Sequence, residues 1–152
     1  MGKGSETASK YEKQYTGLEV ADLAVEKAKL RKRNVVQGSI CAIPFDDETF
    51  DVSFSSETIE HIHPDDIDLA LSEMIRVAKK YVVVQISITE CKRGSRIQHP
   101  GRTWIDVAGL DITSMHLTVW SADVWWKKLN TLGLEIVSFE TTKKNILAIL
   151  RK

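Results

Sequence analysis

The chain has 152 residues, enough for one domain with a real hydrophobic core. Its 43% apolar and 28% charged content is that of a globular protein, which excludes disordered and fibrous classes. Lys plus Arg and Asp plus Glu stand at 21 each, so a net charge of zero gives no bulk attraction to nucleic acid or to an anionic membrane.

Cys41 and Cys91 form no CxxC pair and no disulfide framework, which fits a reduced, cytoplasmic protein. No apolar run approaches the ~18 residues of a membrane span, and the polar N-terminus lacks a signal-peptide pattern.

Taken in chain order, Gly2-Lys3-Gly4 is a glycine-rich opening, and Ser5 can cap a helix from about Glu6 to Tyr15. Thr16 to Val20 reads as a short strand with Glu19 near its end. Asp22 is expected to cap a helix to about Arg33, with Leu23, Ala24, Ala28 and Leu30 expected to face the sheet. Asn34 to Gly38 and Phe50 to Ser55 read as buried strands. Asp65 or Asp66 starts a helix with apolar positions Ile67, Leu71, Met74, Ile75 and Ala78. Tyr81 to Ile88 is the strongest strand, apolar on both faces in its first half. Lys92 to Trp120 is long for a connector and carries three arginines and two histidines; long connectors are often functional. Ser121 caps a helix through Leu132, which Gly133 ends. Leu134 to Glu140 and Ile146 to Leu150 close the chain as an antiparallel hairpin. The alternation predicts an α/β fold, a mostly parallel sheet with an antiparallel hairpin, in a single domain over residues 1–152.

In open α/β sheets ligands bind past the carboxyl ends of strands, and the stretch from Val36 to His63 contains two such ends. A carboxylate at Glu19 can accept hydrogen bonds from both hydroxyls of a ribose; a surface glutamate is the plainer reading. Gly2 and Gly4 permit close approach of a ligand to the backbone, or mark a flexible terminus. Ser39 can meet an exocyclic amine and Ile40 can pack on a planar base, while Phe45 reads as core. Ser55, Ser56, Glu57, Thr58, Glu60, His61 and His63 form a polar cluster after a strand, in which His61 suits a general base or substrate contact. His61-x-His63 fits no established zinc spacing, so no metal is expected; His63, Asp65 and Asp66 read as helix capping and surface. One of Trp125 and Trp126, not both, fits the core.

Together these residues resemble a class I S-adenosylmethionine-dependent methyltransferase of the small-molecule, methyltransferase-11-like type. The matching text is Gly17-Leu18-Glu19-Val20, Ala24 to Ala28, Gln37-Gly38-Ser39, Ile43-Pro44-Phe45, Phe50-Asp51-Val52, Glu60-His61-Ile62 and Ala70 to Val77. Later segments, Thr113-x-x-His116, Trp126 and Leu132 to Glu135, extend the likeness over most of the chain. The resemblance implies a Rossmann-like fold and S-adenosylmethionine as cofactor. By position it makes Gly2 and Gly4 the cofactor loop, Glu19 the ribose acid, and Ser39 and Ile40 the adenine side, with Ser39 where an aspartate is usual. It makes Ser55 and Ser56 the methionine side, and His61 and His116 the candidate catalytic, substrate-facing residues.

One departure is serious. The family's first buried strand, which precedes the glycines, is expected to be missing, so the domain reads as truncated at its N-terminus. That leaves two strands with open edges. The sheet closes differently, a second copy of the chain completes it, or the product is truncated. Two functions follow as expectations: methyl transfer to a small molecule, sugar or lipid-like acceptor, or a catalytically inactive methyltransferase-like binding or regulatory protein. Without an Asn-Pro-Pro-Tyr or Asp-Pro-Pro-Tyr run after the Val52 to Ser55 strand, methylation of amides or exocyclic amines is disfavoured. Neutral charge weighs against a nucleic-acid partner.

Overall fold

The computed structural model describes residues 15–89 and 116–152. The expected N-terminal helix, Gly2, Gly4 and most of the long connector lie outside these residues.

The first strand, β1 (Gly17–Glu19), pairs in parallel with β2 (Val35–Gln37), in the register Gly17 to Val35 and Glu19 to Gln37. Helix α1 (Asp22–Leu30) crosses between them, as a parallel pair requires. Its inward residue is Val25, whereas Leu23 and Leu30 are 69% and 84% exposed, contrary to the expectation that they face the sheet. The helix ends at Leu30, short of Arg33, and its N-cap is Ala21, with Asp22 in the first turn. The inward stripe is therefore Val25 with half-buried Ala24 and Ala28.

The second sheet holds β3 (Phe50–Ser56), β4 (Ala78–Ser87), β5 (Glu135–Thr141) and β6 (Asn145–Arg151), in the order β3-β4-β6-β5. The β3–β4 pair is parallel, and β6 is antiparallel to both β4 and β5. Parallel pairs joined through helices, plus a C-terminal antiparallel hairpin, make the predicted α/β architecture. Among the described residues no ladder joins β1 to β3, and each ends its own sheet.

Val82, Val84 and Ile86 put one face of β4 into the core, and Ile146, Ala148 and Leu150 do so for β6. Both sets repeat every second residue, as strand geometry demands. They pack against Ile67, Leu71 and Met74 of α2 (Ile67–Val77) and Trp125 and Leu129 of α3 (Ala122–Asn130). The opposite face of β4, with Tyr81 and Val83, is only half-buried, so the expected burial of both faces does not occur. Likewise β3 is not a buried strand: Val52 and Phe54 are 45% and 60% exposed, because β3 lies at the sheet's edge. Trp125 is fully buried and Trp126 is 43% exposed against Phe139, one in the core and one out, as expected. Ser121 caps α3 by accepting a hydrogen bond from the Val124 amide, and Gly133 follows with φ 72°, where a left-handed turn favours glycine.

The connection from β2 to β3 is held from α2. The Arg76 guanidinium donates to both Glu73 oxygens, at 2.7 and 2.9 Å, to the carbonyls of Phe45 (2.7 Å) and Ile43 (2.9 Å), and to Asp47 (2.9 Å). Glu73 in turn accepts from the Ile43 amide at 2.7 Å. Phe45 is half-buried and stacks edge-on against Phe50 at 4.9 Å, so it packs at the rim of the core rather than within it.

The hydrogen bonds from Arg76 hold the Glu73 carboxyl below its ordinary value of 4.5. A depressed carboxylate stabilises the fold at neutral pH, and that contribution fades as pH falls below about 4.5 through the lowered value. Arg76→Ala is expected to speed amide hydrogen exchange at Ile43 and to leave the β4–β6 ladder protected. Unchanged exchange at Ile43 would show that the loop is held by something other than the guanidinium.

Candidate functional site

Each parallel strand pair brings two carboxyl ends together. At the end of β1, half-buried Glu19 accepts a hydrogen bond from the Ala21 amide through Oε1 at 2.9 Å, and its backbone carbonyl accepts from Gly38 at 3.0 Å. The side chain is thereby fixed at the mouth between β1 and α1. A carboxylate has more acceptor capacity than this one bond uses.

Past β2, Ser39 starts a tight turn. Its carbonyl accepts from the Ala42 amide at 3.0 Å, and its Oγ accepts from the Cys41 amide at 3.1 Å. The hydroxyl is oriented by its own turn and keeps its proton and a second lone pair for a ligand. Ile40 is half-buried and packs against the core cluster. Gly38 permits this geometry: a Cβ there would lie 2.8 Å from Leu18 Cδ1 and 2.9 Å from Pro44 Cδ.

At the end of β3, Ser55 is 6% exposed and its hydroxyl has no hydrogen-bond partner among the described residues. Buried hydroxyls are ordinarily satisfied, so an orphan at a strand end is able to receive a ligand group; Ser53 Oγ on the same strand is unpartnered as well among the described residues. Ser56 next to it is bonded to the Gln85 side chain at 3.2 Å. Glu57 turns the chain with φ 53° and accepts from Asn145 at 3.0 Å.

The chain then makes a 3-10 turn, Ile59–His61, whose Glu60 is fully buried. Glu60 Oε1 accepts from the Ser87 amide at 3.2 Å, and Oε2 has no partner among the described residues. Burial pushes this carboxyl up to about 7, against the lowering effect of its backbone hydrogen bonds. The backbone carbonyl of Glu60 accepts from Leu117 and Thr118, at 2.7 and 3.0 Å, and Thr118 Oγ1 donates to the Ile62 carbonyl at 2.6 Å. These bonds dock the segment that begins at His116. They bring His116 onto His61, ring to ring, with centroids 4.9 Å apart at 83°. His116 Nδ1 lies 2.6 Å from the Thr89 carbonyl oxygen. One ligand atom each from Glu60, His61 and His116 falls within 4.8 Å of the others.

Glu19, Ser39, Ile40, Ser55, Ser56 and His61 therefore sit at strand ends or on the turns that follow them, and His116 is docked onto the last of these turns. His63 does not join the cluster. Its Nδ1 accepts from the Asp65 amide at 3.3 Å and caps the turn Pro64–Asp66, the capping role expected of it. Glu60 is the residue that sequence reasoning passed over. It stood in the polar run as one acid among several, and only the return of the chain at His116 buries it.

With a carboxyl raised from 4.5 to about 7, the folded state holds a proton that the unfolded state has lost. Stability is full below pH 4.5, declines as pH rises from there, and the whole penalty is in place above about 7. In chelator-containing buffer the wild-type melting temperature is expected to fall between pH 5 and pH 8, and that of Glu60→Gln to fall less. Parallel profiles for the two proteins would remove Glu60 as the source.

A family model described as a methyltransferase domain matches residues 1–84. No curated protein matches this chain. Among solved structures, a Pyrococcus horikoshii protein shares the fold at 18% identity and TM-score 0.68, with 99% of this chain and 76% of that one covered. A Methanosarcina mazei SAM-dependent methyltransferase matches at 16% and 0.68, over 98% of this chain and 86% of that one. The 1,6-didemethyltoxoflavin-N1-methyltransferase of Burkholderia thailandensis, solved with 1,6-didemethyltoxoflavin and S-adenosylhomocysteine, matches at 14% and 0.64, over 99% and 67%. The structural likenesses establish the Rossmann-like fold, and the family match, covering more than half of the 152 residues, establishes kinship: this chain belongs to the methyltransferase domain family.

Proposed function

We propose that the chain transfers a methyl group from S-adenosylmethionine to a small-molecule, sugar or lipid-like acceptor. The observation that carries this reading is the buried Ser55 hydroxyl at the carboxyl end of β3, unpartnered among the described residues, with His61, which meets His116, on the turn that follows the strand. In this fold such strand ends form the ligand rim. The reading takes residues 1–152 as one domain working in the cytoplasm; no described helix is long and apolar enough to cross a membrane.

Bound S-adenosylmethionine supplies an electrophilic methyl group on a sulfonium. Glu19 accepts hydrogen bonds from the ribose hydroxyls, and Ser39 and Ile40 border the adenine. Ser55 and Ser56 meet the methionine end. Gly2 and Gly4 join them as the cofactor loop on the strength of the resemblance alone. Holding donor and acceptor in line supplies much of the acceleration. A base is needed only where the acceptor loses a proton, and His61 and His116 are the groups placed to take it.

A second reading, a binding or regulatory protein without turnover, draws on the edges of β1 and β3 that are unpaired among the described residues. Open edges recruit further strands, and a second copy of this chain is one source. Light scattering on the purified chain is expected to show a dimer if copies complete one another's sheets; a dispersed monomer at high concentration would dismiss that exchange.

Titration calorimetry with S-adenosylhomocysteine tests the first reading. Glu19→Ala is expected to weaken binding by about 1–3 kcal/mol, the scale of a lost charge-assisted hydrogen bond. If the intact chain binds no S-adenosylhomocysteine, the methyl-donor reading fails.

A further inference from the structure

We infer that Glu60, His61 and His116 form a binding site for a divalent first-row transition cation, held by one carboxylate oxygen and two imidazole nitrogens. The donor atoms already lie within 4.8 Å of one another. Metal–ligand bonds of about 2.0–2.2 Å around a tetrahedral ion set donor pairs roughly 3.4 Å apart. Small rotations of the three side chains close that difference.

Three independent features prepare the site. Glu60 is fully buried, and among the described residues its Oε2 has no hydrogen-bond partner while Oε1 is held by the Ser87 amide. One oxygen is thus anchored and the other left open, and a buried acceptor without a partner is costly unless something occupies it. His116 is oriented from its far side. A carbonyl only accepts, so at 2.6 Å from the Thr89 oxygen Nδ1 must carry the proton, which leaves the Nε2 lone pair for a ligand. Metal-binding histidines are commonly fixed in this way. Finally, the segment bearing His116 is tied to the Glu60 turn by the Leu117 and Thr118 amides and the Thr118 hydroxyl, so the three ligands share one frame.

The donor set selects the ion. Two imidazoles and a carboxylate suit zinc, cobalt, manganese or iron, whereas magnesium and calcium prefer oxygen alone. Glu57, whose carboxylate is fixed by Asn145, acts electrostatically on Glu60 and adds negative charge without being needed as a ligand. Three protein ligands leave at least one coordination position open to water or to an oxygen-bearing acceptor. A bound ion engages the imidazole lone pairs, so the base role proposed above for His61 and His116 belongs to the cation-free chain. The site departs from the sequence expectation of no metal because it uses His116 from across the chain in place of His63.

Cobalt(II) is the probe, since its visible absorption reports coordination independently of activity. Titrating the full-length, metal-stripped chain is expected to give one cobalt per chain with d–d bands that zinc bleaches and millimolar magnesium leaves. His61→Ala and His116→Ala, each checked for a native circular dichroism spectrum, are expected to bind at least about tenfold more weakly. His63→Ala is expected to bind as the wild type does. Absent bands in the wild type, equal binding by two folded ligand variants, or a matching loss in His63→Ala would each overturn the proposal. The S-adenosylhomocysteine titration is a separate measurement, so a chain that binds the nucleoside but no cobalt defeats only the metal site. One that binds cobalt but no nucleoside defeats only the methyl-donor reading.

Discussion

The five hydrogen bonds of Arg76 are the constraint on which the rest of this structure depends. Among the described residues, the β1–β2 pair shares no ladder with the four-stranded sheet. A principal link between the two is the connection from Gly38 to Thr49, and a loop alone does not fix an orientation. Arg76 supplies the reference. Its helix is locked into the core by Ile67, Leu71 and Met74, and its planar fork grips two carbonyls and two carboxylates at once. Lysine, a point charge on a flexible stem, lacks that geometry. The turn at Ser39 and the mouth at Glu19 take their places from this clamp.

A second anchor does the same for the reaction side. The Glu60 carbonyl receives two amides from residues 117 and 118, while Thr89 and His116 are bonded to each other. Chain segments far apart in sequence thus meet on one buried 3-10 turn. The carboxyl of Glu60 bears the cost, since burial disfavours its charged form. Such unrelieved burial persists where a site requires it, which is why the strand-end hydroxyl of Ser55 and the free oxygen of Glu60 carry more functional meaning than the exposed acids around them.

Much of this was legible one residue at a time. The apolar run Tyr81 to Ile88 marked β4, Ser121 marked the start of α3, whose end at Asn130 falls short of the expected Leu132, and the period of Ile67, Leu71 and Met74 marked α2, because local backbone chemistry and hydrophobic period decide such elements. Exposure was less legible. Leu23 and Leu30 looked like the inner stripe of α1, yet Val25 holds that place, since a nine-residue helix on a two-stranded pair has little surface to cover. Val52 and Phe54 looked buried because β-propensity does not say which strand is an edge.

The sequence by itself determined the α/β alternation, the closing hairpin, the methyltransferase kinship and the candidates Glu19, Ser39, Ser55 and His61. Those follow from short-range patterns and from the order and spacing of short segments along the chain. Only the tertiary structure decided that His116 meets His61 and that Glu60 is buried with an oxygen to spare. These depend on long-range hydrogen bonds, and burial is a property of what packs around a residue rather than of the residues beside it in the chain.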